Sequence, residues 1–227
     1  MKLSLANILL LAIIAVSLIA AITMNSSVKF VECKARDGHI FIDCVDPAWQ
    51  GISSWEVSYF DESEYSVNTL EKGDLVEWEI IDDKDPSRGR ILDVRYSNAP
   101  ANGRLRFHVK GAGQSRDLSA YVNGALEFDV KVLDWGRGEN VLIAKVLCGY
   151  PCGSEPYRID GISLNRWTAI KIPTVELIDS GLDITKVDIG LAISPTWNRM
   201  QGIHFRLDNI RWVKGLELDP ESTDPAA

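Results

Sequence analysis

The chain has 227 residues, 46% of them hydrophobic, 25% charged and 8% aromatic, which suffices for one substantial domain with a real core plus short extras. Its formal net charge is −8, from 32 acidic against 24 basic residues. That balance argues against a nucleic-acid partner, whose binding surface shows a clustered basic excess.

In chain order the first element is apolar. After Met1-Lys2, residues 3–23 carry no charge and are long enough to cross a bilayer as a hydrophobic helix, which needs about 20 apolar residues. A secretory signal begins in the same way, but Ala21-Ile22-Thr23 makes a poor A-x-A cleavage site. The run also exceeds the usual signal core of about 7–15 residues. Residues 1–24 are therefore read as a signal peptide or an N-terminal membrane anchor. Either would export the remainder to the periplasm or the exterior, and an uncleaved segment 3–23 would tether it to the inner membrane.

Residues 25–69 read as an irregular extension. Within it H-I-F-I-D-C-V (39–45) could pair back through a Cys33–Cys44 disulfide, and S-W-E-V-S-Y-F (54–60) resembles a strand. From residue 70 to 215 the pattern is strands throughout: 75–81, 90–96, 104–110, 125–133, 141–147, 167–172, 187–193 and 203–213. R-L-R-F-H-V-K is the cleanest, with Leu105, Phe107 and Val109 inward and Arg104, Arg106, His108 and Lys110 outward. In the next run Leu126, Phe128, Val130 and Val132 point inward, and Glu127, Asp129 and Lys131 would oppose the basic row from the neighbouring strand. Period-2 alternation broken by turn residues predicts an all-β fold, an antiparallel β-sandwich or barrel. In the last run Ile203, Phe205 and Leu207 share one phase and Ile210 and Trp212 the other. A β-bulge at Asp208-Asn209 explains the slip, as does a change of neighbour halfway along the strand. The tail, 216–227, is polar, contains proline and reads as disordered.

Four cysteines in an exporting chain suggest disulfides. A zinc site would need a second ligand pair at short spacing, and His39, His108 and His204 stand far apart. Redox motifs have two residues between the cysteines, whereas Cys148 and Cys152 have three. Of three possible connectivities, proximity favours Cys33–Cys44 and Cys148–Cys152. So small a ring as the second adds about 2 kcal/mol on the loop-entropy model, so its use would be to hold a loop that presents Tyr150.

Catalytic constellations are scarce. There is no G-x-S-x-G elbow, H-E-x-x-H helix or phosphate-binding loop. D-D-K-D-P-S-R-G (82–89) lacks the glycine and glutamate of an EF-hand calcium loop, although Asp82 or Asp85 could supply an oxygen to another kind of site. Among the seven tryptophans, Trp78, Trp55 and Trp212 suit the core, Trp167 begins a strand, and Trp49, Trp135 and Trp197 fall in polar connectors. A loop indole can stack on the apolar face of a pyranose ring or fold back over the end of the sandwich.

Four motifs then carry a resemblance: R-D-L-S-A-Y-V-N-G-A-L-E-F-D-V-K-V (116–132), V-L-C-G-Y-P-C-G (146–153), R-W-T-A-I-K-I-P (166–173) and F-R-L-D-N-I-R-W (205–212). In this order they resemble the C-terminal galactose-binding-like domain of ExoP-type β-glucan glucohydrolases of glycoside hydrolase family 3. The likeness covers about residues 70–214. It implies a jelly-roll sandwich with an accessory, non-catalytic role beside polysaccharide, and it suggests a structural calcium ion near the last strand, for which Asp208 is the first candidate ligand. Two features depart from the pattern. A cysteine expected after I-K-I-P is replaced by Thr174-Val175-Glu176, and the Cys33–Cys44 region has no counterpart.

The resulting expectation is an exported, non-enzymatic module that binds a polysaccharide such as β-glucan through Trp135, Tyr150, Tyr157 and Trp197. Two alternatives stand beside it. One is an envelope protein–protein interaction module, marked by a contiguous apolar patch. The other is a polysaccharide lyase or hydrolase using Arg106, His108 and a tyrosine or carboxylate.

Overall fold

A computed structural model describes residues 33–49, 51–57, 62–67, 75–99, 102–109 and 113–215, with backbone alone at 53, 55–57 and 62–67. The apolar segment 3–23, the tail 216–227, Lys110 and the indole of Trp55 lie outside what is described. Among the described residues no helix is long and apolar enough to cross a membrane.

Strands account for about half of the described chain. In order they are β1 (His39–Ile42), β2 (Cys44–Val45), β3 (Gly51–Val57), β4 (Glu62–Val67), β5 (Val76–Asp82), β6 (Arg90–Tyr96) and β7 (Asn102–His108). There follow β8 (Ala125–Asp134), β9 (Leu142–Leu147), β10 (Tyr157–Ile159), β11 (Thr168–Pro173), β12 (Ile189–Pro195) and β13 (His204–Val213). A single α-helix, α1 (Thr174–Asp179), stands among the described residues. It starts directly after Pro173, carries Glu176 in its first turn where the helix dipole favours an acid, and buries Leu177. At six residues it is too short to show a helical period in the sequence.

The strands form two antiparallel sheets. Sheet A runs β11-β8-β13-β1-β2, with β6 pairing β13 and β5 pairing β6; sheet B runs β10-β9-β12-β7-β3-β4. The alternation dictates how they stack. Leu105 and Phe107 of β7, and Leu126, Phe128, Val130 and Val132 of β8, are all buried, so each sheet turns one apolar face to the other. Phe41 of sheet A meets Phe107 of sheet B across that core, with ring centroids 6.4 Å apart. The expected antiparallel β-sandwich is therefore what forms.

One sequence boundary changes. β1–β4 belong to the two sheets, so these strands are part of the sandwich and not an extension ahead of it. The alternation there is short and interrupted, and the sheets supply what the local pattern lacks. Both expected disulfides, Cys33–Cys44 and Cys148–Cys152, are formed.

The last strand shows both explanations of its phase slip at once. Asp208 opposes Asp129 and Arg211 opposes Glu127, so three residues of β13 span two of β8. That is a bulge, and Asn209 sits in it at φ 53°. On its other side β13 pairs with β6 up to Leu207 and with β1 from Ile210, so the neighbour changes at the same point.

Candidate functional site on the outer face of sheet B

The outer face of sheet B is built on β7. Its alternation sends Arg104, Arg106 and His108 outward while Leu105 and Phe107 fill the core. The carboxylates expected beside this row are not there. Glu127 and Asp129 belong to β8, which lies in sheet A, and the strands that flank β7 are β12 and β3. Across the face Arg106 pairs with Ala192, and Ala192 pairs in turn with Lys145 of β9. Ala192 and Ser194 are small and buried, so the middle strand is low and the flanking strands bear the long cationic side chains. Burial, with the Arg106 charge adding to it, lowers the pKa of the Arg104 guanidinium from its ordinary value. His108 Nδ1 donates to the carbonyl of Val109 at 2.9 Å, which fixes the ring.

Trp197 closes one end of this face. It lies in the loop after β12 and remains 39% exposed. The Arg104 guanidinium carbon stands 5.6 Å from the centroid of its ring. The loop is held firmly. Asn198 N donates to Asn102 Oδ1 at 2.6 Å, and Asn102 Nδ2 donates back to Asn198 Oδ1 at 2.9 Å. Met200 is fully buried and its sulfur accepts from Gly103 N, so the loop is plugged into the sandwich two residues beyond the asparagine. Asn198 takes φ 63°, a left-handed conformation that asparagine tolerates better than most residues. The indole is thus presented by a loop that is itself fixed.

Tyr150 stands at the other end. It projects fully exposed from the turn closed by Cys148–Cys152, where Cys152 N donates to Gly149 O. The Tyr150-Pro151 peptide is cis. Tyr150 follows the C-terminus of β9 and Trp197 that of β12. These strands are antiparallel, so the two aromatics bracket the face across the length of β9, about 17 Å for its six residues.

The other two expected aromatics do not join them. Trp135 is buried and packs in the core, because the loop after β8 folds back and Arg137 N bonds Gln201 O. Tyr157 pairs with Ala144 at the edge of sheet B and packs partly buried against the core. The alternation alone gave no sign that Asn102, Lys145 and Asn198 would assemble beside the basic row, since their neighbours are set by strand order.

Asp208 is buried at the β13 bulge, on the other sheet. Arg88 donates through one nitrogen to Asp208 Oδ2 (3.1 Å) and to Asp129 Oδ2 (2.9 Å). Asn209 Nδ2 also reaches both carboxylates. Among the described residues no group of three or more His, Cys, Asp or Glu is arranged to hold a metal. With a guanidinium between its two carboxylates, this set does not fit a calcium ion.

No protein-family model matches the chain, and no curated protein matches it in sequence. Solved structures do match in fold. The extra C-terminal domain of an exo-1,3/1,4-β-glucanase (ExoP) from a Pseudoalteromonas species aligns with a TM-score of 0.53 and 12% identity, over 81% of this chain and 95% of that domain. Within the whole glucanase the TM-score is 0.55 at 12% identity, over 82% of this chain, which spans only 21% of the enzyme. The family 30 carbohydrate-binding module of a cellulosomal cellulase of Clostridium thermocellum gives 0.51 at 21% identity, over 79% of this chain and 98% of the module. The chain has the antiparallel β-sandwich fold that these domains share.

Proposed function

We propose that this chain is an exported, non-catalytic carbohydrate-binding module that receives a polysaccharide, with β-glucan the first candidate, along the outer face of sheet B. The observation that carries the reading is Trp197: a partly exposed indole on a pinned loop, over Arg104 and beside the Asn102–Asn198 amide pair. An indole stacks on the C–H face of a pyranose, and fixed amide and guanidinium donors select its hydroxyls. A loop already held costs little to order on binding. Two disulfides and the apolar segment 3–23 support export.

The test is affinity electrophoresis of the full chain through gels containing laminarin or mixed-linkage β-glucan. Retardation by at least one of them is expected, and Trp197→Ala should weaken it at least tenfold, about 1.4 kcal/mol. A folded protein that no glucan retards, or a W197A variant retarded like the wild type, would sink the reading.

A further inference from the structure

We infer that Arg88 occupies the place of a structural cation in this sandwich, so that the fold is complete without calcium. The need for a positive charge comes from the strand register. Asp208 and Asp129 are directly opposed on β13 and β8, an arrangement in which like charges repel. The bulge prevents escape: Asp208 is 1% exposed and its Oδ1 is engaged by the backbone N–H of Asn209 at 2.8 Å. Burial, with the Asp129 charge adding to it, raises the pKa of the Asp208 carboxyl from its ordinary value. Such a pair needs a cation between its members or a shared proton, and here the structure supplies the cation.

The cation comes from the turn between β5 and β6, whose D-D-K-D-P-S-R-G sequence superficially suggests a calcium loop. The turn is tied to itself. Asp83 N donates to Gly89 O, Asp85 N to Asp83 Oδ1, and Ser87 N and Oγ to Asp85 Oδ1. Arg88 N donates to Asp85 O, and Gly89 takes φ 68°, where a Cβ would fall 2.2 Å from Asp43 Oδ1. So built, the turn sends the Arg88 side chain over the sheet, where the Trp167 ring lies 4.1 Å from the guanidinium carbon. Asn209 Nδ2 completes the donor set. The acid-rich turn thus delivers a cation to the last strand. An entry path for an ion exists as well: Arg88 lines an open depression of about 510 Å³ with Asp43, Asp85 and Asn209. Removal of the guanidinium would leave two carboxylates accessible to a divalent ion, the hard oxygen donors that calcium takes.

The experiment is thermal unfolding of the full chain, read without any glycan and therefore independent of the binding proposal. Wild-type Tm should be the same in chelator and in millimolar calcium. Arg88→Met should lower Tm by about 6–10 °C in chelator, as expected when one partner of a largely buried ion pair is removed. Calcium or ethylguanidinium should then return part of that loss in R88M alone. Arg88→Lys, which keeps a cation, should stay near wild type and ignore calcium. A wild-type Tm that falls in chelator overturns the inference, as does an R88M variant as stable as wild type. A loss that neither calcium nor ethylguanidinium reverses marks a packing role and overturns it too. Should R88M not fold, R88K decides: near-wild-type Tm without calcium supports the inference, and calcium-dependent folding refutes it.

Discussion

The outer faces of the two sheets carry different equipment. On sheet A the carboxylates face cations across the strands. Asp93 is held by Arg206, His204 and Arg95, Asp129 and Asp208 by Arg88, and Glu127 by Arg211 and Lys171. On sheet B Arg104, Arg106 and Lys145 line up across the small residues of β12, with Trp197 and Tyr150 at the two ends. Both faces are rich in arginine. The difference lies in the small residues of β12 and the aromatics at its two ends, and that follows from strand order. A buried network of ion pairs, as on sheet A, serves the fold. A low middle strand flanked by donors and aromatics suits recognition.

The comparison breaks most sharply at Arg206, which is 16% exposed and binds Asp93 at 2.8 Å while approaching Asp83 at 3.8 Å. Arg206→Met would take the cation from the buried Asp83 and leave Asp93 with only His204 and Arg95, and the expected cost is about 3 kcal/mol. Urea denaturation should show a lower midpoint with unchanged slope. Retention on β-glucan gels should persist wherever the variant is folded. Trp197→Ala should do the reverse, losing retention with little change in midpoint, because its indole is already partly in water. If the two variants moved both properties together, the division between a structural and a binding face would be wrong.

A weaker effect of the same kind is pH-dependent. Burial opposes ionisation of Asp93, but its bonds to Arg206 and His204 outweigh this and hold the carboxyl below its ordinary value of 3.8. A depressed folded value means that the stabilisation is fully present above 3.8 and disappears as pH falls through the folded value. Asp208 has the opposite sign. Its raised folded value makes ionisation costly at neutral pH, and protonation relieves that cost as pH falls. Urea midpoints measured from pH 6 down to 2 should therefore show a flatter acid limb in Asp93→Asn than in wild type. An unchanged limb would mean that the sheet A network does not set acid stability.

How far the sequence reaches follows from these same residues. The inward phase of β7 and β8 was legible because each residue's face depends only on the strand itself. The bulge at Asp208-Asn209 was legible for the same reason, as a slip of that phase. Partners were not. β8 follows β7 in the chain yet lies in the other sheet, so Glu127 and Asp129 cannot balance Arg104 and Arg106. The connector tryptophans show the same limit. Trp49, Trp135 and Trp197 have similar polar neighbours in sequence, but only Trp197 reaches the surface. Trp49 is buried against Gly190, where a Cβ would fall 2.5 Å from its ring, a fit that no local pattern announces. Arg88 was legible as part of a turn but not as the cation of two strands that lie 41 and 120 residues further on.

The smallest expected effect sharpens the comparison by measuring how much of sheet B a ligand covers. Tyr150 is fully exposed, so Tyr150→Ala should leave the urea midpoint within about 0.5 kcal/mol of wild type. Its consequence for binding depends on ligand length. A polysaccharide lying along the face from Trp197 would reach the Cys148–Cys152 turn only after crossing about 17 Å of β9. Y150A should then weaken binding of long β-glucan chains severalfold and leave a disaccharide unaffected, as read by calorimetry against both. Equal affinity of Y150A and wild type for the long chains would confine the ligand to the Trp197 end. The disulfide turn would then be an edge of the sandwich, and Arg104, Asn102 and Asn198 would carry the recognition without Lys145.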